Sequence, residues 1–429
     1  MLVNLFFQSA IGAFAQETKK ITLQEAIDLA LKNNLDFKST QLDLEIQKNK
    51  IKIANKLQNP DFGSYLNHGT AGRGNPQQIG VFQVVELGKR DARKKLELAN
   101  MALVQERYEY TEFNLKMNIR QAYVEYVAAK SVLHLLEKQQ KLFEDLLVIA
   151  KRKKNMNKAT DLDVTQAEIA LGQLKAEYNT ANVNVQAARY KFNKVLNIKG
   201  TEEFHEPIDE YFPNKSDFIM LLTPPIEAEM PGFVSISDSA ANKRYDLQIA
   251  KKQIDIAQNY LRYIKVHRIP DLQVGAGYLF QPNSQSEGAG YLNGGFTEFS
   301  LINLPVFYNY SPEIKNAQIE LEQAKINYDS VKDQAIYDLS SAYEKFTTAK
   351  MNLKHYDKNV LAKSDMMMEQ SKKNYESGSA DLTNLIVMER CYQTIKTGYI
   401  NALCTYYTSW IEFLKEVNSE SFSFQSETL

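Results

Sequence analysis

Hydrophobic positions along the chain follow two different periods. Two long stretches, about 89–154 and about 312–377, carry Ala, Leu, Ile and Tyr at helical spacing with no internal proline. In residues 271–280, by contrast, apolar and small polar positions alternate, which is the period of a β-strand with two different faces. The apolar side of that strand consists of Leu272, Val274, Ala276, Tyr278 and Phe280. The pattern predicts a mainly helical chain that is interrupted by short, two-faced strands.

The same order of elements occurs twice along the chain. Residues 22–66 and 235–278 each give a helix, an x-Pro-Asp sequence and a strand, and Pro60 falls 210 positions before Pro270. Proline ends each helix because it lacks an N–H group and disfavours the α conformation in the preceding residue. A second strand, a long helix and a returning helix follow in both halves. We therefore predict an internally duplicated helix–strand–strand–long helix–helix unit.

This duplication divides the chain into five predicted segments. The first has a short apolar core before Ala13-Phe14-Ala15, which is typical of a signal-peptide cleavage site, although a buried N-terminal helix is the alternative. The segments are a signal peptide (1–15), a first repeat (16–197), a linker (198–232), a second repeat (233–417) and a C-terminal tail (418–429). The first repeat has strands at about 61–68 and 79–87 and a long helix at about 89–154. The second repeat has strands at about 271–280 and 296–307 and a long helix at about 312–377.

The lengths of the elements constrain how they can pack. A helix of roughly 65 residues is about 100 Å long, so each repeat is too slender to bury a compact core and is expected to pack against copies of itself. Strands of roughly 8–12 residues suit a tilted membrane strand. Four strands leave two open edges, which lipid does not tolerate, whereas three chains would supply twelve strands, an even number within the range of bacterial barrels. A small soluble sheet that caps a helical bundle is the alternative.

Composition and motifs narrow the function classes. The net charge of −1 gives no basic field for nucleic acid, and a mean hydropathy of −0.41 with 24% charged residues excludes a polytopic helical membrane protein. The sequence contains no HExxH, GxxxxGK[ST] or GxSxG motif, and its five histidines have no ligand spacing. We predict that the chain is not an enzyme and that it has no cofactor, no metal site and no nucleic-acid partner.

Several phrases carry a resemblance to a known family. TLQEAIDLALKNN, NPDF, IPDL and YESGSADLTNLI, in this duplicated order, resemble the TolC-like outer-membrane efflux protein family, also called outer membrane factors. VVELGKRDAR (84–93) and LPVFYNYSPEI (304–314) are most similar to its heavy-metal-efflux, CzcC/CusC-like branch. The resemblance implies a mainly α fold with a membrane β-barrel segment. It also implies a homotrimer with a twelve-stranded β-barrel in outer-membrane lipid, a twelve-helix α-barrel across the periplasm, and an equatorial collar built from the linker and the C-terminal tail.

The resemblance also implies a function. The chain would be the exit duct of a tripartite efflux system, passively conducting substrates such as metal ions or small toxic compounds from a periplasmic adaptor and an inner-membrane pump to the outside. Two alternatives stay open at this point. One is an exit duct for type I protein secretion, which differs only in its partners, and the other is a soluble periplasmic coiled-coil scaffold.

In this family the pore constriction lies at the second helix-hairpin tip, just past an aromatic-x-x-Gly turn that Tyr375 and Gly378 match. Relatives carry pore-facing carboxylates one and two turns further on, where this chain has Asn384 and Val387. The nearest carboxylate here is Asp381. Three copies of it would form an anionic ring, and the alternative role is a helix N-cap.

The adaptor is expected to dock in the grooves near both tips, around 150–165 and 370–385. At the first tip the candidate residues are Lys158, Asp161 and Asp163. Asp161 is the first-half counterpart of Asp381, and we interpret it as a helix cap.

Overall fold

The computed structural model describes seven stretches of the chain. They are residues 18–66, 77–198, 204–212, 230–241, 243–280, 293–356 and 358–420. The predicted signal peptide, much of the predicted linker and most of the predicted C-terminal tail lie outside the described residues.

The described elements follow the duplicated order that the sequence predicts, with two additional short strands. In chain order they are β1 (Thr18–Ile21), α1 (Leu23–Asn33), α2 (Leu35–Ala54), β2 (Asp61–Leu66), β3 (Gln77–Val85), α3 (Lys89–Asn155), α4 (Asp161–Val195), β4 (Phe204–Pro207), α5 (Phe233–Ala241), α6 (Tyr245–Val266), β5 (Asp271–Phe280), β6 (Gly294–Ile302), α7 (Ser311–His355), α8 (Lys358–Ser377) and α9 (Leu382–Val417).

The helix before the first strand pair is divided at Asn34. Its backbone N–H donates to Ala30 O at 2.7 Å and closes α1, while its side-chain Oδ1 accepts from Phe37 N at 2.9 Å and starts α2. Asparagine competes with regular helix in this way because its short amide can replace a backbone partner. The predicted single helix is therefore two helices.

The predicted single helix at 312–377 is also two helices, α7 and α8. No proline or glycine explains the interruption, since neither lies between Pro312 and Gly378. At the end of α7 the Tyr356 ring lies 6.1 Å from that of Tyr399. A Cβ on Gly398 would lie 2.4 Å from the Tyr356 hydroxyl, so the glycine permits this close approach.

The four longer strands form one antiparallel sheet in the order β2-β3-β5-β6. The two strand pairs of the duplicated units are thus joined through β3 and β5, where Val85 pairs with Leu272. The second strand of each pair begins and ends earlier than predicted, and β6 stops at Asn303, which has a φ of 58° and is followed by Pro305. A left-handed residue and a proline both end a strand because neither continues the ladder.

The register gives this sheet two chemically different faces. One face is apolar and exposed in the single chain, with Phe62 at 72%, Phe299 at 74%, Leu301 at 55% and Tyr278 at 50% exposure. The other face carries glycines, Gln273, Glu298 and Ser300, together with the rings of Tyr65, Phe82 and Phe296. The two faces predicted for residues 271–280 therefore continue across the sheet, with Gln83 and Ser64 among the polar exceptions on the apolar face.

The chain forms two compact units, and each unit draws on both predicted repeats. Unit 1 comprises residues 1–38, 110–244 and 335–429, and unit 2 comprises residues 39–109 and 245–334. Unit 1 holds an aromatic core in which Phe346 packs on Tyr406, Trp410 and Phe413. Unit 2 contains the four-stranded sheet. None of the helices within the described residues is both long and apolar enough to cross a membrane.

Candidate functional site: the helix-hairpin tips

The first tip joins α3 to α4 through a tightly hydrogen-bonded turn. Asn157 adopts a left-handed conformation with a φ of 55°, which lets the Lys158 N–H donate to Lys153 O at 2.8 Å. Helix α4 then begins with a reciprocal cap: Thr160 Oγ1 accepts from Asp163 N, and Asp163 Oδ2 accepts from Thr160 N at 2.6 Å.

These contacts show where Lys158, Asp161 and Asp163, the three residues predicted for the first tip, lie in the turn. The N-cap is Thr160, so the interpretation of Asp161 as the cap is wrong by one position; Asp161 instead lies in the first helical turn and forms an ion pair with Lys154. A threonine whose hydroxyl meets a carboxylate three residues later satisfies two backbone donors at once, which is why it takes the capping position. Asp163 is the second half of this cap, and Lys158 is exposed.

The second tip uses a glycine turn. Gly378 has a φ of 81° and no atom within 4 Å of an added Cβ, so its backbone conformation, and not lack of space, favours glycine. Gly378 N donates to Tyr375 O, and Ser379 N donates to Asn374 O at 2.9 Å. Asp381 is the N-cap of α9, where its Oδ1 accepts from Asn384 N at 2.8 Å.

Three predicted pore residues share one exposed face of the chain. Asp381, Asn384 and Val387 follow one another at three-residue spacing, and all three are exposed in the single chain. The cap role of Asp381 uses one carboxylate oxygen towards Asn384 N. This geometry shows the capping role that the sequence left as one of two alternatives.

Tyr375 belongs to the interior of the tip. It is 4% exposed and packs with Leu146, Ala150 and Ala167 of the first hairpin and with Leu382 and Leu385 of the second. Burial raises the pKa of Tyr375, and the nearby charge of Asp163 raises it further, so the phenol stays neutral. Its hydroxyl has no hydrogen-bond partner in the part of the chain that the structure describes.

Lys153 connects the two hairpins through Tyr375. Its Nζ donates to the carbonyl oxygen of Tyr375 at 2.5 Å and lies 3.9 Å from the centre of the Tyr375 ring. A lysine ammonium gains from both contacts, because it binds a carbonyl as a charged donor and binds the ring face as a cation. We call this contact the Lys153–Tyr375 clamp.

A row of polar contacts joins α4 to α9 beyond the clamp. The pairs are Gln166–Thr383, Gln173–Arg390 and Glu177–Gln393. The first two pairs are seven residues apart on both helices, which is the repeat of a coiled coil. The two hairpins are thus held together by a buried apolar cluster at the tip and by this polar row above it.

The sequence did not reveal Lys153 as a tip residue, because it lies in a run of basic residues at 151–154 that resembles a solvated helix end. What distinguishes Lys153 from its basic neighbours is its contact with Tyr375 of the second hairpin. Among the described residues, no cluster of three or more His, Cys, Asp or Glu side chains could hold a metal ion.

Comparisons with known proteins bear on the family and the fold of the chain. Residues 26–197 match the family model described as outer membrane efflux protein. No curated protein matches the chain at a significant level. The resemblance to outer-membrane efflux proteins is therefore confirmed over this part of the chain, whereas the heavy-metal branch is not.

Solved structures resemble nearly the whole chain. A membrane protein from Pseudomonas aeruginosa has a TM-score of 0.71 at 16% identity and covers 92% of this chain and 93% of its own. A structure of CusC has a TM-score of 0.72 at 13% identity and covers 94% of each chain. The open state of the MtrE outer membrane channel from Neisseria gonorrhoeae has a TM-score of 0.70 at 16% identity and covers 94% of this chain and 91% of that one. These similarities confirm the predicted fold class, a mainly helical outer-membrane channel fold.

Proposed function

We propose that the chain is the outer-membrane exit duct of a tripartite efflux system and acts as a homotrimer. It would conduct substrates passively from a periplasmic adaptor and an inner-membrane pump to the outside. The family match over residues 26–197 and the fold shared with outer-membrane channels support this function. A duct of this kind needs a path and a gate, and no catalytic group.

The observation that carries the proposal is the two-faced sheet of unit 2. Its outer strands are β2 and β6, and its apolar face exposes Phe62, Tyr278, Phe299 and Leu301 in the single chain. Strand edges and large apolar faces both need partners, and lipid covers an apolar face but cannot satisfy a strand edge. Three copies would close the edges into a twelve-stranded barrel with the apolar face outward.

The test of this function is localisation and assembly of the full chain. Expression in a Gram-negative host, separation of outer and inner membranes, and light scattering of the detergent extract should give a trimer in the outer-membrane fraction. A periplasmic monomer or dimer that needs no detergent would instead favour the coiled-coil scaffold.

Neighbouring residues on β6 provide a matched pair of variants. Phe299 lies on the apolar face and Ser300 on the opposite face, so Phe299→Asp should prevent trimer assembly in the membrane while Ser300→Asp should retain it. A charge facing lipid near the bilayer centre costs on the order of 2–4 kcal/mol for Arg or Lys and less for Asp, whereas a lumen-facing charge stays hydrated. The measurement is the amount of unboiled trimer in outer membranes, and equal losses in both variants would argue against a lipid-facing side.

Within this function, we assign the gate to the second tip, where Tyr375, Gly378, Asp381, Asn384 and Val387 lie. In the trimer Asp381 would face the axis and supply an anionic ring by its second carboxylate oxygen, beside its capping contact. Opening would require the second hairpin to separate from the first, and the Lys153–Tyr375 clamp opposes that separation.

The clamp gives a specific prediction for the gate. Lys153→Met should increase the open population about tenfold or more, because a charged hydrogen bond to a carbonyl is worth roughly 1.5–3 kcal/mol and each 1.4 kcal/mol is a factor of ten. The measurement is the open probability of single trimers in planar bilayers. Lys151→Met is the matched control, since Lys151 forms an exposed ion pair with Glu168. Equal open probabilities of Lys153→Met and the unmodified trimer would remove the clamp from the gate.

Docking of the adaptor and choice of substrate are further parts of the proposal. Lys158, Asp161 and Asp163 at the first tip are the residues we propose for the adaptor surface. Metal ions are proposed as substrates because the phrase VVELGKRDAR resembles the heavy-metal-efflux branch of the family. Cross-linking from Lys158 in cells, followed by identification of the bound proteins, distinguishes an efflux adaptor from a type I secretion partner. Loss of metal tolerance on deletion of the gene tests the substrate.

A further inference from the structure

Helices α3 and α9 each contain one polar residue, Gln139 and Glu389, at a position where the helical pattern predicts an apolar side chain. On α3 the buried residues Leu136, Gln139 and Phe143 follow one another at spacings of three and four, and on α9 Leu382, Leu385 and Glu389 do the same. Such spacings mark the core positions of packed helices. Gln139 is 3% exposed and Glu389 is 1% exposed, so both side chains are fully inside unit 1.

Neither side chain is satisfied by the protein. Both carboxylate oxygens of Glu389, and both the amide oxygen and nitrogen of Gln139, lack a hydrogen-bond partner within the described residues. Polar pairs that fix the register of packed helices are hydrogen-bonded to each other. Each buried polar group left without a partner costs about 1–3 kcal/mol, and more if it is charged. Gln139 lies near enough to lower the pKa of Glu389, but the carboxylate keeps hydrogen-bonding capacity that a group from outside the chain could use if the groove opens slightly towards it.

A groove of about 290 Å³, formed by α3, α8 and α9, is lined by residues that include Gln139 and Glu389. Leu135, Leu142 and Met368 supply an apolar wall, and Tyr392 contributes an aromatic ring. A pocket that is mostly apolar and has a few convergent polar atoms is the usual form of a small-molecule site. The volume suits a ligand with a single ring better than a larger compound.

The charges around the groove favour a cation. At its rim Asp365 is paired with Lys396 at 2.8 Å and Glu369 with Lys373 at 2.7 Å, so these two carboxylates are already neutralised. Lys138 also lines the groove, but no ion pair joins it to Glu389 in the structure. Glu389 is thus the one lining carboxylate within the described residues that has no positive partner.

We propose that this groove binds a small organic cation whose ammonium or amidinium group bonds to Glu389 and Gln139 and whose apolar body packs on Leu135, Leu142 and Met368. The carboxylate of Glu389 accepts two hydrogen bonds from the cation, and the Gln139 oxygen can accept a third. The site lies above the hairpin tips and is separate from the residues assigned to the gate.

The proposal has a pH dependence whose sign follows from the carboxylate. Burial raises the pKa of Glu389 to about 7, and the side chain of Gln139 opposes this shift only in part. The facing groups are Lys138 on α3, Asp365 and Glu369 on α8, and Tyr392 on α9, whose pKa is raised to about 12 by burial and by Asp365. Since only ionised Glu389 binds the cation well, affinity should be about tenfold higher at pH 8 than at pH 6.

The experiment is a titration of the detergent-solubilised full chain with benzamidine, followed by ligand-observed NMR and calorimetry. Benzamide, which has the same ring without the charge, is the neutral control probe. We expect benzamidine to bind at pH 8, benzamide not to bind, and Glu389→Gln to weaken benzamidine at least tenfold. Glu369→Gln is the matched control at the rim and should bind as the unmodified protein does.

Gln139→Met is a second variant that removes the amide without adding charge, and it should also weaken binding. Circular dichroism of each variant establishes that it is folded. Equal binding of benzamidine to Glu389→Gln and to the unmodified protein, equal binding of benzamide, or no binding at pH 8 would each overturn the proposal. The last of these outcomes would leave the groove as a site filled by ordered water.

Discussion

Lys89→Met is expected to destabilise unit 2 by about 3–5 kcal/mol, because it leaves a buried carboxylate without its cation. Lys89 Nζ lies 2.7 Å from Asp271 Oδ2, and the two side chains are only 9% and 5% exposed. Asn303 Nδ2 donates to the same oxygen at 3.0 Å, and Asp271 Oδ1 has no partner in the described residues. In Lys89→Met the Asn303 amide would still donate to Asp271, but it is neutral and cannot balance the charge of the carboxylate.

The measurement is urea unfolding of the detergent-solubilised protein, followed by circular dichroism. Lys95→Met is the matched control on the same helix, because Lys95 pairs with Asp91 at an exposed i,i+4 position worth less than about 1 kcal/mol. The double variant Lys89→Met/Asp271→Asn should recover much of the loss, since neither side then carries a buried charge. Equal midpoints for Lys89→Met and Lys95→Met would show that the pair does not stabilise the junction of sheet and helix.

Glu389→Gln is expected to stabilise unit 1 by about 3 kcal/mol at pH 8 and to change its stability little at pH 4. Burial raises the pKa of Glu389 from 4.5 to about 7. Below pH 4.5 the carboxyl is protonated in both the folded and the unfolded chain, so it contributes no difference. Between pH 4.5 and 7 the unfolded chain ionises first, so the folded state loses stability as pH rises, and the full cost is present above pH 7.

The comparison of Glu389→Gln with the unmodified protein at each pH cancels the titration of all other groups. Thermal unfolding in the absence of an added cation is the measurement. Glu369→Gln serves as the control, because Glu369 pairs with Lys373 and its pKa is lowered by that contact, so its effect should be small and opposite in sign. A stabilisation by Glu389→Gln that is the same at pH 4 and pH 8 would mean that the carboxylate charge is not its cause.

The Lys89–Asp271 ion pair and the Lys153–Tyr375 clamp share a structural origin. Lys89 and Asp271 are 182 residues apart, and Lys153 and Tyr375 are 222 residues apart. Each pair joins the first predicted repeat to the second. Mutations at these positions therefore test how the two halves of the duplicated chain are combined, which mutations within one helix would not.

The sequence by itself determined the elements and their order. Pro60 and Pro270 mark the passage from helix to strand, although α2 ends already at Ala54 and α6 at Val266. Alternation in 271–280 defines a strand with two faces, and Gly378 marks the turn of the second hairpin. These features are local, because a helix period, a strand period or a turn depends on residues only a few positions apart. Tyr375 and Asp381 are identified as tip residues through the resemblance to the family, whose aromatic-x-x-Gly turn Tyr375 and Gly378 match.

Only the tertiary structure decided the contacts between distant elements. The strand order β2-β3-β5-β6 brings Lys89 to Asp271, Tyr356 at the end of α7 lies close to Gly398, and the packing of α3 on α9 buries Glu389 beside Gln139. In the sequence Lys89, Lys153 and Glu389 read as ordinary charged helix residues. The free energy that distinguishes them comes from burial and from partners supplied by the other half of the chain, and these depend on topology, which no local period encodes.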